Sequence, residues 1–167
     1  NVSFVLSVIG SLTTAVVFVF YNIDQLRGRN QPNPLSWGLW FFINIINVFT
    51  HHDLSRDWIV TATILTDCLC CALTVSVLMT RNRRVKLSGL GKAELLAGTL
   101  GFFALAAWWV YRSGLYGNLI IQVAYTIAFL PTYFGVWKNP ERQKAWPWIV
   151  WGAAFFSGGV LVALLRA

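Results

Sequence analysis

One stripe of polar and aromatic side chains runs along an apolar stretch in the first third of the chain. Its members are three or four residues apart and so share one face of a helix: Trp37, Trp40, Asn44, Asn47 and His51. Amides donate and accept hydrogen bonds, and indole faces stack on sugars or flat rings. The stripe predicts a binding surface for a small polar solute. Alternatively, the asparagines bond neighbouring helices and the tryptophans anchor the chain at a membrane interface.

Asp67 is an ionisable residue close to the centre of a second apolar stretch, where Thr63, Cys71 and Thr74 share its helical face. An ionised, unpaired carboxylate in hydrocarbon costs several kcal/mol, so a protonated or bonded side chain is expected. Asp67 either carries a proton or holds a polar solute, or it is a protonated structural group bonded to Asn44, Asn47 or a threonine hydroxyl.

Other candidates lie further along the chain. Gln122 precedes Pro131 in one apolar stretch, and the proline predicts a kink that could act as a hinge. Cys68, Cys70 and Cys71 lie within an apolar stretch, where thiolates are costly, so they are expected to be packing residues. His51, His52 and Asp53 are expected in a wet interfacial loop. No metal and no cofactor is expected.

These residues belong to a chain that is too apolar for an ordinary water-soluble domain. Of its 167 residues, 57% are hydrophobic and 11% are charged, and the mean hydropathy is +0.62. A soluble domain is nearer about 25% charged. The composition excludes a soluble enzyme domain, a disordered chain and a disulfide scaffold, and predicts an all-α integral membrane protein whose surroundings are the lipid bilayer.

Six apolar stretches are long enough to be transmembrane helices, since a span needs about 20 apolar residues. They are Val2–Asn22, Leu35–Thr50, Trp58–Met79, Ala93–Tyr111, Leu115–Trp137 and Trp146–Leu165. Ten of the 13 Lys and Arg residues fall in alternate connections. Because cytoplasmic loops are enriched in Lys and Arg, these connections are predicted to be cytoplasmic and both termini outside. The excess of basic residues is therefore explained by the orientation of the chain in a membrane, and no nucleic-acid partner is predicted. The predicted location is the bacterial inner (plasma) membrane.

An internal repeat relates the two ends of the chain. A shift of 111 residues places Trp37 and Trp40 on Trp148 and Trp151. The charge pattern gives both copies the same orientation, so the repeat is predicted to be parallel. Residues 1–80 form the first helical unit, 93–111 an inverting linker helix and 115–167 the second unit. The shift also pairs Asn44 and Asn47 with Phe155 and Gly158, which predicts a pocket between the second and sixth spans.

This arrangement resembles the PQ-loop superfamily, which includes the SWEET sugar transporters. The family motif is Pro-Gln near the end of the first helix of each unit, followed by a basic residue before the second helix. Pro131-Thr132 followed by Lys138 is similar to this motif in the second unit. In the first unit, Asp24-Gln25 followed by Arg27 occupies the corresponding position. The resemblance implies three helices, one linker helix and three more helices around a central site, which is seven in all, whereas six spans are found here. In the SWEET group, asparagine and tryptophan side chains line the sugar site.

The sequence therefore predicts a small-solute transporter that works by alternating access and is not an enzyme. Its solute would be a polar uncharged molecule such as a sugar or small metabolite, and Asp67 could link transport to protons. The predicted solute site contains six residues: Trp40, Asn44, Asn47, Asp67, Gln122 and Trp151. The alternative is an accessory or assembly subunit of a larger membrane complex. Homo-oligomerisation is also compatible with the sequence.

Overall fold

The computed structural model describes residues 2–30, 32–81, 92–138, 140–142 and 144–156. Within these ranges the chain is helical and contains no strand. Six α-helices follow one another: α1 (Val2–Leu26), α2 (Pro34–Ser55), α3 (Trp58–Arg81), α4 (Lys92–Tyr111), α5 (Gly114–Lys138) and α6 (Trp146–Phe155). A short 3₁₀ helix, Pro140–Arg142, precedes α6. The predicted all-α fold is confirmed, and each predicted apolar stretch overlaps one of these helices.

The helices begin and end at residues with recognisable local chemistry. Gly28, at a φ of 75°, closes α1, and its amide donates to the Gln25 carbonyl at 3.0 Å. This is the left-handed glycine that commonly ends helices. Asp57 is the N-cap residue of α3. Its carboxylate accepts the Ile59 amide at 2.7 Å and so satisfies a free N–H of the first turn.

The turn between α2 and α3 corrects one expectation. α2 continues through Ser55, so His51, His52 and Asp53 lie in its last turn and not in a loop. His52 stacks on Trp58 with ring centroids 3.7 Å apart. This contact across the turn holds the last turn of α2 against the first residue of α3.

Hydrogen bonds between helices define their register. The Ser7 hydroxyl donates to the Ile59 carbonyl at 2.7 Å, and the Asn22 amide donates to the Thr74 hydroxyl at 2.9 Å. Both pairs are separated by 52 residues, so α1 and α3 run parallel. α1 also packs against α6, while α2 packs against α3, α4 and α5.

The two ends of the bundle differ in composition. At one end, α1 finishes where α6 begins, and Lys144 pairs with Asp24 at 2.8 Å. Arg29 also pairs with Asp24 there, at 3.2 Å, and we call this the basic end. At the opposite end, where α2 and α4 finish, the Trp108 indole donates to Asp53 at 3.2 Å.

The outside of the bundle is apolar. Two helical segments, Val2–Leu26 and Trp58–Thr80, are long and apolar enough to cross a membrane. Large apolar side chains are exposed on several helices: Phe4, Phe20, Leu69, Phe102, Phe103 and Trp109. Extended apolar surface of this kind is unusual on a protein surrounded by water alone.

Candidate functional site

A cavity of about 530 Å³ lies between α1, α2, α3, α5 and α6. This volume falls in the range of about 300–1,000 Å³ that small-molecule sites occupy. Its aromatic lining consists of Phe18, Tyr21, Trp37, Trp40, Tyr125, Trp148 and Trp151. Its other polar lining residues are Asn44, Asp67, Cys71, Gln122 and Thr126. The cavity is therefore an aromatic chamber with a small set of polar groups.

The indoles of α2 and α6 form one connected cluster. The ring centroids of Trp37 and Trp40 are 5.2 Å apart, those of Trp40 and Trp148 5.7 Å, and those of Trp148 and Trp151 6.2 Å. These pairs meet edge to face, a favoured aromatic geometry. Trp37 and Trp40 are only 4% and 7% exposed. Tertiary packing turns them inward.

Asp67 joins three helices at the cavity. Its carboxyl lies on α3, is 4% exposed, and accepts the Trp151 indole N–H of α6 at 2.8 Å. The Asn44 amide of α2 also bonds to it. Within the described part of the chain, the ion pairs involve Asp24 and Asp53 and not Asp67. Asp67 is thus bonded by neutral donors.

Asn44 has an unused hydrogen-bonding atom beside this carboxyl. Its side-chain nitrogen donates to the Cys71 sulfur at 3.4 Å, while its buried side-chain oxygen has no partner within the described residues. Cys68, Cys70 and Cys71 are free and buried. They fill space along α3, as the sequence analysis expects.

Asn47 is not among the residues that line the cavity. Its side-chain oxygen accepts the Asn118 amide of α5 at 3.0 Å, which is the helix-bonding alternative. His51, one turn further along, reaches the Thr61 hydroxyl of α3 at 3.3 Å. Three residues turn a helix by about 300°, so Asn47 is rotated about 60° from Asn44. The predicted stripe of five residues therefore contacts several helices and does not face one site.

The remaining predicted residues lie on α5 and α6. Gln122 lines the cavity, and its backbone carbonyl accepts the Thr126 hydroxyl at 3.0 Å. α5 is helical through Pro131, but the side chain of Pro131 lies outside the described residues. The Phe155 side chain and Gly158, predicted to face the two asparagines, also lie outside them.

Two tyrosines of the lining were missed. Tyr21 is buried and stands three residues after Phe18 on the same face of α1. Tyr125 stands three residues after Gln122 on α5. Extending each helical face by one turn from these neighbours identifies both tyrosines.

Comparison with known proteins finds no matching family model, no matching curated protein and no matching solved structure.

Proposed function

We propose that this chain is a small-solute transporter that binds its solute in the cavity between α1, α2, α3, α5 and α6. The observation that carries the proposal is the position of Asp67. This buried carboxyl borders a cavity of about 530 Å³ and is held by side chains from both predicted units. A polar group in so apolar a setting is typical of a substrate or proton pathway.

The packing of the helices supports the parallel repeat that the proposal includes. The 111-residue shift carries α1 onto α5 and α2 onto α6. A two-fold axis would then make the α1–α6 contact equivalent to the α2–α5 contact, and both contacts are present. Both pairs are antiparallel, as the Asp24–Lys144 and Asn47–Asn118 contacts show. Parallel repeats about an axis along the membrane normal occur in transporters of the SWEET kind.

The same packing supports a six-span topology. Arg29 and Lys144 lie at the basic end, whereas Arg56 and Arg112 belong to the turns at the opposite end. The proposed orientation has the basic end in the cytoplasm and both termini outside, in a bacterial inner membrane.

The cavity occupies the half of the bundle nearest the basic end. Its lining comes from the later turns of α1 and the first turns of α2 and α6. In the opposite half, α2 and α5 are closely packed: an added Cβ at Gly114 would lie 2.5 Å from the Thr50 carbonyl oxygen. In the proposed orientation, this is the inward-facing state of an alternating-access carrier.

Uptake into proteoliposomes tests the transport function. Purified protein is reconstituted and supplied with a labelled panel that contains glucose, sucrose and choline. We expect saturable uptake of at least one solute above that of protein-free liposomes, and a loss of about tenfold or more in Asp67→Asn. Thr99→Val is the control, because Thr99 is exposed on α4 and its hydroxyl donates to the Leu95 carbonyl of the same helix.

One result would argue against transport, and another against the role of Asp67 in it. If no solute is taken up and a stoichiometric partner co-purifies in mild detergent, the chain is an accessory subunit. If uptake persists in Asp67→Asn and does not change with pH, Asp67 is not a proton carrier.

A further inference from the structure

Among the described residues of the cavity lining, one can carry a charge at neutral pH, and none is a basic residue that could pair with it. Asp67 borders the cavity without an ion-pair partner among the described residues. The other ionisable lining groups, Tyr21, Cys71 and Tyr125, are uncharged in their protonated forms. Buried charges in proteins are normally paired, since an unpaired one is strongly destabilising. The site is therefore complementary to a positive charge.

The rings around the carboxyl provide a second kind of attraction for a cation. Trp40, Trp148 and Trp151 line the cavity within one connected cluster, and Trp151 itself bonds to Asp67. An ammonium group is attracted to the face of an aromatic ring, most strongly to tryptophan, and the attraction grows when water is excluded. Cages of aromatic side chains bind quaternary ammonium groups in this way.

We propose that the solute bound in this cavity is an organic ammonium ion, with its positive charge beside Asp67 and its apolar groups against the indoles. Its transport depends on the proposed function, whereas its binding does not. Seven aromatic side chains surround the site, and Asn44, Gln122 and Thr126 are the uncharged polar side chains beside them. A sugar has many hydroxyls around its ring, and the few polar side chains of the lining would leave several of them without a hydrogen-bond partner. A small ammonium ion has one polar centre, which the carboxyl satisfies.

A pair of nearly isosteric probes tests the inference on the unmodified protein. Choline and 3,3-dimethyl-1-butanol differ in the charged nitrogen, which is a neutral carbon in the second probe. Binding to protein in lipid nanodiscs is followed by tryptophan fluorescence and by calorimetry, with tetraethylammonium and glucose alongside. We expect choline to bind saturably and at least about tenfold more tightly than its neutral analogue, as the lost charge interactions require.

Substitution of the carboxyl provides a second test. In Asp67→Asn, choline should bind no more tightly than 3,3-dimethyl-1-butanol does. Asp53→Asn makes the same chemical change at the opposite end of the bundle, where Asp53 pairs with Arg56, and should leave choline binding unchanged. Thermal denaturation shows whether each variant folds. If Asp67→Asn does not fold, the comparison of probes on the unmodified protein still decides.

The outcomes separate this inference from the transport function. Equal affinity for the two probes, preferential binding of glucose, or no binding of any probe overturns the cation site. Sugar uptake that requires Asp67 without ammonium binding would also overturn it while leaving a transporter. Asp67-dependent choline binding without uptake of any solute would retain the site and remove the transport function.

Discussion

Asp67 is held by groups that come from different parts of the chain. The indole of Trp151 donates to it from α6, and the amide of Asn44 reaches it from α2. A hydrogen bond to a charged group contributes roughly 1.5–3 kcal/mol, and a buried carboxylate without such bonds is costly. These donors also orient the carboxyl beside the cavity, where a solute can reach it.

At the opposite end, His51 makes stability depend on pH. It lies just beyond the predicted span Leu35–Thr50, where burial, and then the neighbouring imidazole of His52, lower its pKa from the usual 6.5. Folding therefore favours the neutral ring. The contribution of the neutral His51 ring to stability is complete above the pKa of the unfolded state, about 6.5. This contribution is lost as the pH falls through the lower pKa of the folded state. We expect the melting temperature in detergent to fall over this acidic range.

His51→Gln provides the comparison for this pH dependence. Glutamine keeps a polar side chain that can reach the Thr61 hydroxyl but does not titrate. The melting curve of the variant should be flatter between pH 7 and pH 5 than that of the unmodified protein. Identical pH profiles would show that other groups cause the acid sensitivity.

Among the helices, α2 and α5 approach each other most closely at a glycine. A Cβ at Gly114 would lie 2.5 Å from the Thr50 carbonyl oxygen and 2.7 Å from the Leu54 nitrogen, both backbone atoms that cannot rotate away. Gly114→Ala should therefore separate the two helices and destabilise the fold by about 1–3 kcal/mol. A lower melting temperature in detergent would report this loss.

Gly38→Ala is the matched control for this contact. An added Cβ at Gly38 meets no atom within 4 Å, so the methyl group has space. Alanine is the better helix former by about 0.5–1 kcal/mol, and stability should stay the same or rise. Equal effects of the two substitutions would contradict the close contact between α2 and α5.

The direction of the whole bundle can be measured by cysteine labelling. Ala145→Cys lies at the basic end, and Arg112→Cys lies in the turn before α5. If the basic end is cytoplasmic, an impermeant maleimide added to intact cells should label Arg112→Cys and not Ala145→Cys. The native cysteines are at most 8% exposed, so their background labelling should be low.

Cell lysis completes the labelling experiment, because both introduced cysteines should then react. Labelling of Ala145→Cys alone in intact cells would reverse the proposed orientation. Equal labelling of both before lysis would indicate that the two ends do not lie on opposite sides of a membrane.

The helices could be predicted from the sequence because their causes are local. Runs of about 20 apolar residues satisfy their own backbone groups as helices, and Gly28, Pro32 and Pro34 interrupt them. α2 was predicted too short, because the polar residues His51 to Asp53 resemble a loop. Their side chains instead contact neighbouring groups. His51 reaches Thr61 and His52 stacks on Trp58. Asp53 pairs with Arg56 and accepts the Trp108 indole N–H.

The candidate site could be predicted only in part. Helical spacing selected Trp40, Asn44, Asp67, Gln122 and Trp151, and these residues do line one cavity. The same spacing also selected Asn47, which faces Asn118. The spacing of residues along a helix identifies which of them share a face, but it does not identify the neighbouring helix against which that face packs. Tyr21 and Tyr125 were missed although the same spacing, extended by one turn from Phe18 and Gln122, includes them.

Helix content, approximate helix limits and the asymmetry of charge follow from composition and short-range spacing, since each depends on residues close together in the chain. The shape of the cavity depends on contacts between residues far apart in sequence, such as Trp151 with Asp67, 84 positions away. Those contacts require a particular rotation and register for each helix. Rotation and register depend on how all the helices pack together, and no single segment of the chain determines them.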